Sequence, residues 1–289
     1  MRARHPDLEG TVERDGVTLG YEVFGQGSPT ILLMPTWTII HTRFWKMQIP
    51  YLSRYYQVVT YDGPGNGTSD RVTDPARYAA DSYAADAAAV LDACGEEQAV
   101  VVGLSLGGQY AVRLAKQHPA RVMGIVLVGP ALPLAPSLPE RAAIPERMHQ
   151  PYPDDPQGWD KYNIAYWHDH YQDFVEFFFD QCFSEPHSTK SMEDAVGWAL
   201  ETGPEVLEAV ENRPLLGLLG GEIFEGVSCP TLVIHGTADR IQPYQTGVEA
   251  ALLTEGTLVS MGGSGHFPNV RDPVRFNLAL RVFVDRLAA

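Results

Sequence analysis

The stretch from Ala99 to Val112 reads AVVVGLSLGGQYAV. Its three consecutive valines, Val100 to Val102, favour a strand covered on both faces. Gly103-Leu104-Ser105-Leu106-Gly107 ends that run, and helix-compatible sequence follows at once from Gly108 to Ala115. A strand that turns so abruptly into a helix forces the turning residue, Ser105, into a strained backbone with positive φ. The flanking glycines let strand and helix approach with no Cβ between them. A chain carrying this segment needs a sheet whose strand feeds directly into a helix. The serine hydroxyl is then lifted at the strand end, near the positive end of a helix dipole, where an anion is stabilised.

The rest of the chain supplies such a sheet. Thr11–Arg14 and Leu19–Phe24 read as a hairpin around Asp15-Gly16. Short apolar runs at Thr30–Met34, Gln57–Tyr61, Met123–Val128, Thr231–His235 and Thr257–Ser260 read as buried strands. With the strand before Ser105 they make eight. Helical patterns lie between or after them: Arg43–Leu52 (with Pro50 limiting its regularity), Ala79–Ala93, the segment to about His118, Thr246–Leu253 and Pro273–Leu287. Such alternation predicts an α/β fold, a doubly wound and mostly parallel sheet with helices on both faces.

The rhythm breaks from about Ala131 to Gly226. Prolines crowd its start (Pro130, Pro133, Pro136, Pro139), and aromatics follow, among them Trp159, Tyr162, Tyr166, Trp167, Phe174, Phe178 and Trp198. We expect a mostly helical insertion over the strand ends. This divides the chain into a core of residues 1–130 and 227–289 and a lid of residues 131–226. Many of the aromatics must pack the insertion's own interior.

Gly103–Gly107 is a G-x-S-x-G motif in the strand–turn–helix setting that its use as a nucleophile elbow requires. The plainer alternative is a glycine-rich turn with Ser105 as an N-cap. Serine is a poor nucleophile at neutral pH and needs a base. Among nine histidines, His266 lies in the loop Gly262-Gly263-Ser264-Gly265-His266-Phe267-Pro268, after the last strand and before the last helix. Asp239, in His235-Gly236-Thr237-Ala238-Asp239-Arg240, follows the strand before it and can fix the imidazole's tautomer. Both loops leave the sheet at the same edge as Ser105. Their bland readings are an exposed loop histidine and a turn carboxylate paired with Arg240.

An oxyanion needs two backbone donors. Leu106, just after the serine, is one; the other comes from Pro35-Thr36-Trp37-Thr38. Pro35 has no N–H, which leaves Trp37, or secondarily Thr36. Trp37, Trp167 and Phe267 are the expected substrate-contacting side chains. His41 and Arg43 are candidates for holding a substrate carboxylate, and His235 is expected to be structural. His168, Asp169, His170 and Asp173 have mixed spacing for a metal site and are read as solvated or capping groups.

These residues resemble the α/β-hydrolase superfamily, in particular its compact members with a helical lid between the sixth and seventh strands. The resemblance covers nearly the whole chain and includes Asp62-Gly63-Pro64-Gly65-Asn66-Gly67-Thr68-Ser69, similar to the D-x-x-G-x-G-x-S turn of that group. Pro35-Thr36 departs from the His-Gly usual after the third strand. Glu185-Pro186-His187-Ser188-Thr189-Lys190 with Trp198 resembles hydrolase domains sometimes found with adenylate-cyclase regions. The resemblance implies a serine hydrolase of carboxylic esters or related acyl compounds that needs no cofactor. The same triad serves acyl transfer, C–C bond hydrolysis and cofactor-free perhydrolysis, and a hydrolase-like ligand receptor can retain it.

Composition narrows the partners. A formal charge of −15 with no basic cluster disfavours nucleic acid and anionic membranes; the small acyl substrate is what the resemblance implies. Cys94, Cys182 and Cys229 form no C-x-x-C pair, and an odd count fits a reducing compartment. Met1–Gly10 lacks an apolar leader, and no apolar stretch nears the roughly 18 residues that span a bilayer. The expectation is a cytoplasmic protein.

Overall fold

A computed structural model describes residues 4–215 and 220–288. Its centre is one eight-stranded sheet: β1 (Leu8–Arg14), β2 (Val17–Phe24), β3 (Thr30–Leu33), β4 (Gln57–Tyr61), β5 (Ala99–Leu104), β6 (Val122–Val128), β7 (Thr231–Gly236) and β8 (Thr257–Met261), in the order β1-β2-β4-β3-β5-β6-β7-β8. β2 pairs antiparallel with β1 and β4, while all the other pairings are parallel. Asp15 and Gly16, both with positive φ, close the first hairpin as its sequence required.

β5 is buried along its whole length. A strand with apolar residues on both faces has nowhere to sit but mid-sheet, between helix layers. On one side of β5 the chain winds from β3 outward to β4; on the other it winds to β6, β7 and β8. The reversal between β3 and β5 opens a crevice at their carboxyl ends, the usual ligand position in such sheets. Helix Leu106–Gln117 packs on β5 and β6. Tyr110 from it stacks on Tyr83 of helix Ala80–Ala93, with ring centroids 3.9 Å apart.

Two sequence expectations near the strand ends of the central sheet change. Arg43–Leu52 is not one helix: a 3₁₀ turn, Thr42–Met47, is followed by a short α-turn, Ile49–Leu52. Pro50 cannot donate an N–H to a continuous ladder and takes an early position of the new turn instead. The elbow helix starts at Leu106, earlier than Gly108.

Between β6 and β7 the principal helices are Ile164–Cys182, Thr189–Ala199 and Pro204–Glu211. The first is kinked at His170 (φ −141°, ψ 45°), whose ring rests against Tyr152 and Tyr166. An aromatic cluster joins this segment to the sheet. Trp37, just after β3, meets Phe178 at 4.8 Å, Tyr162 at 5.7 Å, Phe174 at 6.1 Å and Trp167 at 6.3 Å between centroids. Among the described residues no helix is long and apolar enough to cross a membrane.

Candidate active site

Ser105 has φ 53° and ψ −116°, the strained conformation anticipated from the glycines around it. Those glycines are needed sterically: a Cβ on Gly103 would lie 2.1 Å from the Gly107 carbonyl oxygen, and one on Gly107 2.5 Å from that of Pro35. The second contact also fixes how closely the loop after β3 approaches the elbow. The Ser105 N–H donates to the Val128 carbonyl (2.9 Å), and its carbonyl accepts from Gly108 and Ala131. The elbow is thus tied to the end of β6.

Asp239 and His266 come together from separate strand ends. His266 Nδ1 lies 2.8 Å from Asp239 Oδ2. The other carboxylate oxygen, Oδ1, accepts from the Ile241 N–H (2.7 Å) and the Gln242 N–H (3.0 Å). Burial alone would push the Asp239 carboxyl up. The charge and hydrogen bonds of His266 and His235 outweigh it and hold the group far below the usual carboxylate range. An ionised acceptor at that position requires the proton on His266 Nδ1 and leaves Nε2 of a neutral ring free as a base. A Cβ on Gly129, at the end of β6, would stand 3.3 Å from both Asp239 Oδ2 and His266 Nδ1. Gly129 therefore leaves the pair just enough room.

His235 is more than a structural strand end. Its Nε2 lies 3.0 Å from the same Asp239 Oδ2, and the ring is fully buried. Two imidazoles thus share one carboxylate oxygen. The i, i+4 spacing of His235 and Asp239 was the available sequence signal, but periodicity alone does not show that the chain turns back there.

The loop after β3 is held by the Asp62–Ser69 turn. Asp62 accepts from the Thr42 hydroxyl (2.7 Å) and the Thr68 N–H (3.0 Å), and Asn66 donates to the carbonyls of Thr38 (2.7 Å) and Ile40 (2.9 Å). Leu106 opens its helix, so its N–H has no carbonyl one turn earlier to bond. Trp37 lies in the facing loop with its ring in the aromatic cluster. Trp167 is fully buried there, its indole N–H donating to Lys161 O (3.1 Å). Phe267 is buried against Phe44 and Phe183, 4.6 and 5.0 Å away.

The other polar candidates are engaged elsewhere. Arg43 reaches Glu201, and it donates to His41 Nδ1 from its backbone N–H (3.0 Å) and from Nε (3.2 Å). His168 pairs with Glu208, Asp169 with Tyr152, and Asp173 with Lys161 and Tyr166. Burial pushes the Cys182 thiol far up, which keeps it protonated beside the site.

The fold and this edge of it define a class, the doubly wound sheet with a strained serine between its fifth strand and the next helix. The alpha/beta hydrolase fold family model matches residues 29–273, and the chain belongs to that family. It is 30% identical to the 2-hydroxymuconate semialdehyde hydrolase of Pseudomonas sp. strain CF600 over 80% of this chain and 77% of that protein. It is 37% identical to RutD of Caulobacter segnis, a carbamate hydrolase by name, over 41% of this chain and 44% of that protein. Its fold is similar to that of esterase RhEst1 from Rhodococcus sp. ECU1013, with TM-score 0.75, 26% identity, and coverage of 97% of this chain and 98% of that one.

Proposed function

We propose that the protein is a serine hydrolase that cleaves a carboxylic ester or related acyl compound through an acyl-enzyme. One observation carries this reading: the buried His266–Asp239 pair, 2.8 Å apart, at the sheet edge where Ser105 is held with positive φ. Ser105 Oγ attacks the carbonyl carbon as His266 Nε2 takes its proton. Asp239 keeps the ring in the Nδ1–H tautomer and stabilises the imidazolium. The N–H groups of Leu106 and Trp37 receive the oxyanion. Collapse expels the alcohol, which takes the proton from His266, and water then repeats the sequence on the acyl-enzyme.

Residues 131–226 act as a lid on the core formed by 1–130 and 227–289. Trp37, Trp167 and Phe267 contribute apolar wall, which favours an uncharged, largely apolar acyl or alcohol group. Ser105 is 8% exposed and His266 1%, so substrate entry needs the cover to shift. The similarity to a semialdehyde hydrolase makes 2-hydroxymuconate semialdehyde, which carries a carboxylate, the contrasting anionic substrate to offer.

The test is labelling by a tagged fluorophosphonate, with nitrophenyl ester turnover measured alongside. Wild type should label and turn over. Ser105→Ala should lose both, with its thermal midpoint nearly unchanged. Turnover retained by Ser105→Ala sinks the assignment.

A further inference from the structure

The stretch Glu185-Pro186-His187-Ser188-Thr189-Lys190 stood out in the sequence and has no part in the mechanism above. It follows the end of the long helix Ile164–Cys182 and, together with Cys182 and Ser184 just before it, reaches the loops that carry His266 and Asp239. The Gly265 N–H and the Ser264 hydroxyl both donate to Glu185 Oε1, the latter at 3.2 Å. The His266 N–H donates to the Cys182 carbonyl at 3.1 Å. Ser184 Oγ donates to the carbonyl of Ala238, the residue before Asp239, at 3.2 Å. Four hydrogen bonds therefore join one short segment to the backbones or side chains flanking the acid–base pair.

The fit is close. A Cβ on Gly265 would lie 2.7 Å from the Cys182 carbonyl oxygen, 2.8 Å from Ser184 Oγ and 3.2 Å from Glu185 Oε2. Only glycine at 265 lets the segment seat at this depth. Pro186 restricts Glu185 to an extended backbone, and His187 turns the chain with φ 69°. The Glu185 carboxylate is therefore presented by a stiff turn. Farther on, Lys190 and Lys46 both pair with Asp194. Lys46 belongs to the turn that follows the Trp37 loop, so the helix Thr189–Ala199 that continues this stretch is tied to that turn through Asp194.

We infer that Glu185 is a positioning residue: its carboxylate holds the Ser264–His266 backbone so that the imidazole stays aligned between Asp239 and Ser105 while the lid is seated. The inference rests on the serine-hydrolase reading for its kinetic consequence and on the hydrogen bonds alone for its structural one. Loop carriers of a catalytic base have little rigidity of their own. A displacement of about 1 Å in such a group costs as much as about 100-fold in rate.

The experiment compares Glu185→Ala, Glu185→Asp and Glu185→Gln with wild type. It reads kcat and KM on a small neutral nitrophenyl ester, the rate of fluorophosphonate labelling, the thermal midpoint, and the proton NMR signal of the His266 Nδ1–H. Glu185→Ala should lower kcat and the labelling rate together by about 10- to 100-fold, with KM within about twofold. Glu185→Asp, which keeps the charge but is one methylene short, should resemble Ala. Glu185→Gln keeps an acceptor oxygen at full reach and should recover to within about threefold of wild type. The Nδ1–H signal should broaden or vanish in Ala and Asp and persist in Gln. Unchanged kcat, labelling and NMR signal in Glu185→Ala would overturn the inference. So would losses in all three variants that merely follow a fall in thermal midpoint. A wild type that neither labels nor turns over would defeat the serine-hydrolase reading. The NMR signal would then decide the positioning role by itself, its loss in Ala supporting that role and its persistence overturning it.

Discussion

Asp239 accepts hydrogen bonds from four groups, two imidazoles and two backbone N–H groups, with its side chain fully buried. Such an acceptor shell keeps the carboxylate ionised and makes it a contributor to stability as well as to the proposed chemistry. Its carboxyl is held far below the ordinary value when folded, while the unfolded chain returns it to about 3.9. A depressed carboxyl contributes stability that is fully present above the unfolded value and fades as pH falls towards the folded one. Asp239→Asn should therefore melt below wild type at pH 7, with a gap that holds to about pH 5 and narrows steadily below about pH 4. A gap that stays constant down to pH 3 would mean that ionisation of Asp239 adds nothing to folding. The same variant should lose about 10³- to 10⁴-fold in kcat, because an amide no longer selects the Nδ1–H tautomer. The placement of Ser105, Asp239 and His266 after the ends of β5, β7 and β8 was readable in the sequence. That His235 shares the carboxylate was not, because it depends on the fold-back after β7.

Elements with a local rule behind them were legible. β4 and the last helix, Pro273–Leu287, have the bounds their sequence signals mark, and the Asp15-Gly16 hairpin follows from its turn residues. The elbow belongs with these in part: Gly103 is dictated by its contact with Gly107, four residues on, whereas Gly107 is dictated by the approach of Pro35 from the loop after β3. Gly103→Ala should cost about 1–3 kcal/mol through overpacking against the Gly107 backbone, and it should abolish labelling of Ser105. Gly16→Ala is its control: the site is open, and only the positive φ is penalised, at about 1–2 kcal/mol. Urea melts with labelling of both variants separate a strained turn from a displaced nucleophile. If Gly103→Ala labels like Gly16→Ala, the close strand–helix approach is not what presents the serine. Elements without a local rule were less legible. The break at Gln48–Pro50 is reinforced by the buried Gln48 side chain, which donates to the Asn269 carbonyl (2.8 Å). The Glu185 contacts likewise span sequence separations of 79 and 80 residues. Neither leaves a periodicity to read.

At the scale of the whole molecule, the charge balance sets the response to salt. With 36 acidic and 21 basic residues, carboxylates outnumber their possible cationic partners. Several cations are already paired, as in Arg43–Glu201 and Lys46–Asp194 between the Thr42–Met47 turn and the helical insertion. The more exposed of the two, Arg43–Glu201, contributes about 0–1 kcal/mol, whereas the uncompensated charge repels itself throughout the folded shape. Seating of the insertion rests instead on the buried cluster around Trp37 and on Trp198, which lies beneath Arg43 and Lys46. Apolar and aromatic contacts of that sort do not weaken with added salt as exposed ion pairs do. Raising salt from about 0.02 M to about 0.2 M, where the Debye length falls below about 10 Å, should therefore raise the thermal midpoint by a few degrees. A fall would show that the paired charges outweigh the repulsion and that the insertion is held mainly by its ion pairs. The same field acts on substrates. Under the proposed activity, an anionic ester should gain in kcat/KM relative to a neutral ester of equal size as salt is added, because screening removes repulsion during approach. Matched nitrophenyl esters, one neutral and one carrying a carboxylate, measure this directly. A ratio independent of salt would mean that the cleft is shielded from the net charge, leaving the preference for uncharged acyl groups to the aromatic wall alone.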